Sequence, residues 1–279
     1  MPTRRRFLSA SLAALGLSGA VGLYTWGWEP HWLEIVARSL AFPGLPKSLD
    51  GARVAHVSDL HAGPRVDNAY LINSFARLRE IAPEIVVYTG DLTDVGTEDV
   101  ACVREVFSHL PTGSLATFGI LGNHDYGPRW AFPEIASRVV TMAGEAGLRV
   151  LRNEVAELDG LQIAGLDDYW AGQLNLRQAT TALDPRRASL VLTHNPDTVD
   201  IPGWEPVRGW ILAGHTHGGQ CKPPFLPPPI LSVRNRRYTC GEFSLAGDRR
   251  LYISRGVGHT LRVRFNARPE ITIFRLERA

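Results

Sequence analysis

Cysteine is scarce in this sequence, and the positive and negative charges of the chain nearly balance. The 279 residues include three cysteines, Cys102, Cys221 and Cys240. Their odd number, at no zinc-finger spacing, predicts buried or free thiols and leaves a disulfide between Cys221 and Cys240 open. The formal net charge is only +2, from 30 basic and 28 acidic residues. Such a balance gives no general argument for a nucleic-acid partner.

The remaining composition is that of an ordinary globular chain. Hydrophobic residues make up 44% of the sequence and charged residues 21%. These proportions suffice for one large domain with a full core. No internal repeat is present. We therefore divide the chain into residues 1–30, a linker over 31–49 and a single domain over 50–279.

The N-terminus has the pattern of an export signal. Arg4-Arg5-Arg6-Phe7-Leu8 opens a stretch, residues 7–28, with no charged residue. A basic start before an apolar run is typical of exported proteins. The twin arginine indicates the twin-arginine export machinery as a partner, which carries folded proteins. We expect the protein in the periplasm or on the outer face of the cytoplasmic membrane.

The fate of this segment has three readings. Ser18-Gly19-Ala20 offers a cleavage site. Alternatively, about 20 apolar residues suffice to span a bilayer, and Trp26, Trp28 and Trp32 would then form an interfacial belt. A buried N-terminal helix is the third reading. We favour a retained anchor or a membrane-surface attachment through residues 7–32.

The first half of the domain alternates short strands with amphipathic helices. Strands are predicted over 53–57, 85–88 and 115–121, and helices over 68–81, 98–110 and 130–146. The second half is richer in strands. Its predicted strands cover 154–158, 161–166, 189–192, 209–212, 243–245, 251–253 and 270–276. Asp159-Gly160 and Gly247-Asp248 indicate two hairpins.

Polar residues follow three successive predicted strands. Asp59, Asp91 and Asn123 each come directly or almost directly after a strand. Because ligands bind beyond the carboxyl ends of parallel strands, these residues should converge at one edge of a sheet. Any one of them alone would be an ordinary turn or capping residue.

Four histidines supply the matching nitrogen ligands: His61, His194, His215 and His217. Oxygen and imidazole donors without a thiolate favour manganese, iron or zinc. Calcium would not explain four imidazoles. Two divalent cations about 3.5–4 Å apart can bind a phosphate between them and activate a water. The donor set therefore predicts a site for two divalent metal ions.

These clusters resemble the motif set of the calcineurin-like metallophosphoesterase superfamily. The resemblance covers about residues 50–275 and consists of five motifs in order: Asp59-Leu60-His61, Gly90-Asp91, Gly122-Asn123-His124-Asp125, His194 and Gly214-His215-Thr216-His217. The N-terminal arginines and Glu29-Pro30-His31-Trp32 further resemble a bacterial branch of exported, membrane-associated phosphodiesterases. The implied fold is a four-layer α/β sandwich of two mixed β-sheets flanked by helices.

The resemblance also implies roles for individual residues. Asp59, His61 and His217 would bind the first metal, and Asp91 would bridge to the second. Asn123, His194 and His215 would complete the second metal. His124 would act as general acid or phosphate donor, with Asp125 orienting it.

The implied activity is a metal-dependent phosphodiesterase or pyrophosphatase. A metal-bridging hydroxide would attack a phosphate ester of the membrane or envelope, such as a phospholipid or a lipid-linked nucleotide. A phosphomonoesterase or phosphoprotein phosphatase remains an alternative, as does a non-catalytic envelope metal-binding protein.

Several neighbouring residues are ambiguous in the sequence. Asp94 reads as a turn or cap residue. Tyr126 and Trp130 suit either the substrate cleft or the core. The histidines outside the motifs, His31, His56, His109 and His259, read as structural or solvated.

Overall fold

A computed structural model describes residues 4–94 and 100–279. The helices are α1 (Arg4–Leu23), α2 (Asn68–Ile81), α3 (Val100–Phe107), α4 (Pro133–Glu145) and α5 (Leu176–Thr181). The strands are β1 (Glu34–Phe42), β2 (Arg53–Val57), β3 (Ile85–Thr89), β4 (Ala116–Ile120), β5 (Arg149–Val150), β6 (Glu154–Leu158), β7 (Leu161–Gly165), β8 (Ser189–Leu192), β9 (Gly209–Ala213), β10 (Gly241–Ser244), β11 (Arg249–Ile253) and β12 (Glu270–Arg278).

The strands form two six-stranded mixed sheets. The first has the order β1-β12-β2-β3-β4-β5 and the second β10-β11-β9-β8-β7-β6. Strands β2 to β5 run parallel, as do β7, β8, β9 and β11. The predicted parallel neighbourhood of the first three strand ends is thereby confirmed. Each sheet presents a row of carboxyl ends, where site residues collect.

Alternating side chains of β3 explain the layering. Val86 and Tyr88 pack towards α2, α3 and α4, whereas Ile85 and Val87 pack into a core between the sheets. Period-2 alternation makes a strand apolar on both faces when both are covered. A third core lies between the second sheet and α5. The predicted four-layer α/β sandwich is confirmed.

Helix α2 has the predicted bounds, and local signals account for them. The Asp67 carboxylate accepts a hydrogen bond from the Ala69 N–H at the start. Leu71, Phe75 and Leu78 share the buried face. The helix ends at Ala82, whose left-handed backbone precedes Pro83. The bounds of α2 are therefore set by the residues at its two ends.

The predicted linker over residues 31–49 is wrong for most of its length. Residues Glu34–Phe42 form β1, which pairs in parallel with β12 along its full length. Leu40 and Phe42 are fully buried between the sheets, which explains why this segment joins the domain. Arg255 also binds Glu34 at 2.9 Å. The domain therefore begins near residue 34 rather than residue 50.

Both predicted hairpins are confirmed, at β6–β7 and β10–β11. Helix α4 begins later than predicted, because Pro133 occupies its first turn. Helix α5, of six residues, was not predicted. Residues 98–99 of the predicted helix lie outside the described residues, as do the side chains of residues 4–7 and Cys102.

The N-terminal segment exposes apolar side chains. Leu12, Leu15 and Leu23 of α1 are exposed, as are Trp26 and Trp28 after it. Among the described residues, none of the helices combines the length and apolarity needed to cross a membrane.

The two described thiols are not joined. Cys221 and Cys240 are both free, so the disulfide left open by the sequence is not formed. Burial raises the pKa of each thiol. Both therefore favour the neutral form.

Candidate functional site

Two groups of side chains with metal-binding atoms lie between the carboxyl ends of the two sheets. The first group contains Asp59, His61 and His217, and the second contains Asp91, His194 and His215. In each group the three donor atoms lie within 4.8 Å of one another. All six side chains are buried. The structure thus brings together six of the seven residues that the sequence predicts as metal ligands.

Asp91 lies between the two groups. Its Oδ2 is 3.6 Å from Nε2 of His61 in the first group and 3.1 Å from Nε2 of His194 in the second. Within each group, imidazole nitrogens also approach one another closely. The two Nε2 atoms of His61 and His217 are 3.1 Å apart. Such crowding of lone pairs around one carboxylate is the arrangement expected of shared cation ligands.

Asn123, the seventh residue, lines the same cavity as Asp91 and His215. Its side-chain oxygen and nitrogen are buried and have no hydrogen-bond partner within the described part of the chain. An unsatisfied buried amide costs about 1–3 kcal/mol unless a ligand compensates it. Asn123 therefore fits a position facing a bound cation.

The backbone at the site adopts a rare conformation. Asp59, His61, Asp91, His215 and His217 all have φ between 48° and 72°. This left-handed region is uncommon for residues with a Cβ atom. Each such residue costs of order 1 kcal/mol and persists only where the surroundings fix it. Five donor residues share this conformation in the loops that follow their strands.

Glycines next to these residues leave room for the donors. A Cβ atom at Gly122 would collide with the Asp91 carboxylate, and one at Gly214 would collide with Ser58 and Asp59. Glycine at these two positions is therefore required by the close approach of a carboxylate.

Burial sets the charge of most of the imidazoles. It lowers the pKa of His61 and of His215 to about 3, and that of His217 well below its ordinary value. Uncharged imidazole is the form that binds a metal. Burial also opposes a charge on His194, but the adjacent Asp91 outweighs it and raises the pKa to about 10. A cation at this position would displace that proton.

A second hydrogen bond orients His194. Its Nδ1 lies 2.8 Å from the Thr89 carbonyl oxygen. A carbonyl only accepts, so Nδ1 carries the proton and donates it. Its other nitrogen, Nε2, faces Asp91 and His215 and is the one from which a cation would displace the second proton. This arrangement is typical of a metal-binding histidine.

The carboxylates divide in the same way. The pKa of Asp59 is raised by burial to about 6. Although burial also opposes ionisation of Asp91, the surrounding histidines outweigh it and hold its pKa well below the ordinary value. Asp91 is therefore ionised, and the protonated histidines of the site lie around it.

His124 lies beside the two groups and is oriented by Asp94. Its Nδ1 is 3.0 Å from Asp94 Oδ1, and its backbone N–H donates to Asp91 Oδ1 at 2.9 Å. Burial opposes a charge on the ring, but Asp91 and Asp94 together raise its pKa to about 9. Asp94 is therefore part of the site, not the turn residue that the sequence suggested.

The structure contradicts the prediction that Asp125 orients His124. Its carboxylate accepts hydrogen bonds from the N–H groups of Leu92, Thr93 and Gly122, at 3.2, 2.8 and 2.9 Å. The Thr93 hydroxyl donates to it as well, at 3.1 Å. The short turn after β4 directs Asp125 back towards these donors and away from the His124 ring. Asp125 thus ties together the loops that carry Asp91 and Asn123.

We therefore expect Asp125→Ala to act on stability. The substitution would leave three buried N–H groups without an acceptor, which should lower the free energy of unfolding by about 2–4 kcal/mol. Urea unfolding of the full chain measures this change. The control is Glu80→Ala, because Glu80 is an exposed residue of α2 and truncation of its side chain should leave stability nearly unchanged. Equal stability of both variants would contradict the assignment.

Two further residues near the site were not anticipated. Trp170 contacts His215 edge-on, with ring centroids 4.3 Å apart. Arg264 is fully buried, and its guanidinium lies 3.3 Å from Nδ1 of His217 and donates to the Gly258 carbonyl at 2.7 Å. Neither residue belongs to a motif, and nothing local in the sequence distinguishes it.

The ambiguous residues separate clearly. Trp130 lines the cavity beside the site, whereas Tyr126 is a buried core residue whose hydroxyl donates to Asp167. His56 is buried against Thr89 and has a structural role. On the other side of His124, Arg65, Arg129 and Trp130 border a second, smaller depression.

Comparison with known proteins gives a consistent picture. Residues 52–219 match the family described as calcineurin-like phosphoesterase. Phosphodiesterase YaeI of Escherichia coli is 33% identical over 284 residues, covering 99% of this chain and 100% of that protein. Metallophosphoesterase YkuE of Bacillus subtilis is 31% identical, covering 99% and 98%. UDP-2,3-diacylglucosamine pyrophosphatase LpxG of Chlamydia muridarum is 26% identical, covering 92% and 94%.

Proposed function

The chain belongs to the calcineurin-like phosphoesterase family, and from that premise we propose that it hydrolyses a phosphodiester or pyrophosphate bond of an envelope substrate. The chain is a metal-dependent hydrolase of phosphoric esters. The observation that carries the proposal is the pair of buried ligand groups on either side of Asp91. Two sets of donors that share one carboxylate suit a dinuclear centre.

The donor set assigns the ligands. Asp59, His61 and His217 would hold one ion. Asn123, His194 and His215 would hold the other, and Asp91 would contact both. Divalent ions bound there supply Lewis acidity to the phosphate oxygens and lower the pKa of a water. Manganese, iron and zinc all fit nitrogen and oxygen donors, so the ligands do not select among them.

The chain's own residues account for the remaining steps. His124, held by Asp94, presents its Nε2 towards the cleft beside Asp91 and can donate a proton to the leaving oxygen. The stacked indoles of Trp130 and Trp170, 4.8 Å apart, limit access of water from one side. No serine or threonine nucleophile is needed.

The charge of the cleft favours a diester over a monoester. Within the described residues, the cavity beside Asp91 is bordered by neither lysine nor arginine. A monoester dianion brings one more negative charge than a diester, and that charge would meet the protonated His124 but neither a lysine nor an arginine of the lining. A phosphomonoesterase is therefore the second candidate.

We expect hydrolysis of bis(p-nitrophenyl) phosphate to exceed that of p-nitrophenyl phosphate by at least about tenfold in kcat/KM. The measurement uses the full-length protein with added Mn²⁺, and with chelator as the blank. Turnover of the monoester alone would contradict the diesterase assignment. No turnover of either ester at full metal occupancy would favour a non-catalytic metal-binding protein.

The proposed location is the outer face of the cytoplasmic membrane, reached by the twin-arginine route. The Arg4-Arg5-Arg6-Phe7-Leu8 motif supports the export route. The exposed leucines of α1 and the exposed Trp26 and Trp28 support attachment to a lipid surface. Folding before export would also allow metal loading in the cytoplasm. Fractionation with N-terminal sequencing tests both points.

A further inference from the structure

The cavity beside the second ligand group has two chemically different sides. Its volume is about 460 Å³, within the range of small-molecule sites. Asp91, Asn123 and His215 form the polar end. Another part of the lining comes from two loops that contribute the apolar side chains of Ile230, Leu231, Leu261 and Val263. We call this side of the cavity the apolar arm.

The apolar arm opens at the surface with large aliphatic side chains. Ile230 is 78% exposed and Leu261 68% exposed, although both line the cavity. Leu231 lies deeper and is 9% exposed. Single exposed aliphatic residues are common, but a pair at the mouth of a cavity indicates a binding surface.

The facing wall connects the apolar arm to the polar end. Trp130 and Trp170 stack with centroids 4.8 Å apart, and Trp170 contacts His215 edge-on. A molecule lying against the two indoles would therefore reach the second ligand group without passing a lysine or an arginine of the cavity lining. The apolar arm is thus continuous with the place where the phosphate is expected.

The outer end of the arm adjoins the apolar N-terminal segment. The Arg264 N–H donates to the Thr25 carbonyl at 2.9 Å, and the Arg262 guanidinium lies 4.7 Å from the ring centroid of Trp26. The loop that carries Leu261 is therefore attached to the segment after α1. A molecule held in a lipid layer by its hydrocarbon part would meet the cleft from this side.

We propose that the apolar arm binds a hydrocarbon chain of an amphiphilic phosphoester, with the phosphate at Asp91. This inference rests on the proposed function and specifies its substrate class. Burial of methylene groups against Ile230, Leu261 and the two tryptophans supplies the affinity. Chain length is then a determinant of specificity that the metal ligands cannot provide.

The test uses octyl and methyl p-nitrophenyl phosphate, which share one reacting bond. The full-length protein is held in nanodiscs of digalactosyldiacylglycerol, a lipid without phosphate, with Mn²⁺. We expect kcat/KM for the octyl ester to exceed that for the methyl ester by about 30-fold or more. In the double variant Ile230→Asn/Leu261→Asn this ratio should fall roughly tenfold. Both side chains are exposed, so folding should persist, and a melting curve checks it.

Leu115→Asn is the matched control, since Leu115, just before β4, is 48% exposed and does not line the cavity. Its octyl-to-methyl ratio should equal that of the unaltered protein. Because every variant is measured with the same nanodiscs, partitioning of the esters into the lipid cancels in this comparison. Turnover of both esters without a preference for the octyl chain, or an unchanged ratio in the double variant, would overturn the inference. Absence of any diester turnover would instead contradict the proposed function.

Discussion

The Asp91→Asn variant is expected to lose metal and activity together. Asn keeps the size of the side chain but removes the charge that lies 3.6 Å from His61 and 3.1 Å from His194. Because this carboxylate is shared by both groups, neither retains its full set of donors. We expect metal content to fall from about two ions to one or fewer, and kcat/KM to fall by a factor on the order of 10³ or more.

Metal analysis of the purified full-length protein, together with bis(p-nitrophenyl) phosphate hydrolysis, measures both effects. Asp248→Asn is the control, because it makes the same chemical change at an exposed side chain. The prediction is wrong if Asp91→Asn retains two ions and near-normal turnover. Loss of activity with both ions retained would limit Asp91 to a role in the reaction itself.

The parts of the site that the sequence predicts are those set by local order along the chain. Asp59, Asp91 and Asn123 follow the parallel strands β2, β3 and β4, and parallel neighbours place their carboxyl ends side by side. Strand periodicity and the glycine-containing motifs are visible in short windows. Convergence of these residues therefore follows from the sequence without knowledge of packing.

The parts that the sequence does not predict depend on choices made in three dimensions. Asp94 and Asp125 are both carboxylates near His124, and spacing favours Asp125, its immediate neighbour. The turn after β4 directs Asp125 to backbone N–H groups and leaves Asp94 to bind the ring. Which carboxylate is selected is decided by backbone donors that a sequence does not display.

The same reasoning applies to β1 and to the apolar arm. Strand β1 was missed because its partner, β12, lies at the other end of the chain. The cavity brings Trp130 together with Ile230 and Leu261 of the apolar arm, and no local pattern connects these residues. Contacts between residues far apart in the sequence are determined by the apolar surface that they bury together. A pattern within one sequence carries little information about them.

The His124→Ala variant is expected to lower turnover by about 10²–10⁴-fold while both ions remain bound. His124 lies beside the ligand groups and contributes only its backbone N–H to Asp91. If its imidazole protonates the leaving oxygen, the loss should depend on the leaving group. It should be smaller for bis(p-nitrophenyl) phosphate, whose phenolate leaves without a proton, than for diphenyl phosphate. An equal loss for both esters would indicate a phosphate-binding role instead.

Asp94 is a positioning residue for His124, and its variant separates that role from a structural one. Asp94 raises the pKa of His124, so Asp94→Asn should lower that pKa. Since the protonated ring is the active form, the alkaline limb of the pH–rate profile should move to lower pH, with a loss of about 10–100-fold in kcat. In the double variant, Asp94→Asn should add little to His124→Ala, because the two residues act as one unit. Additive losses, or an unmoved alkaline limb, would separate Asp94 from the proton transfer and leave it a purely structural residue.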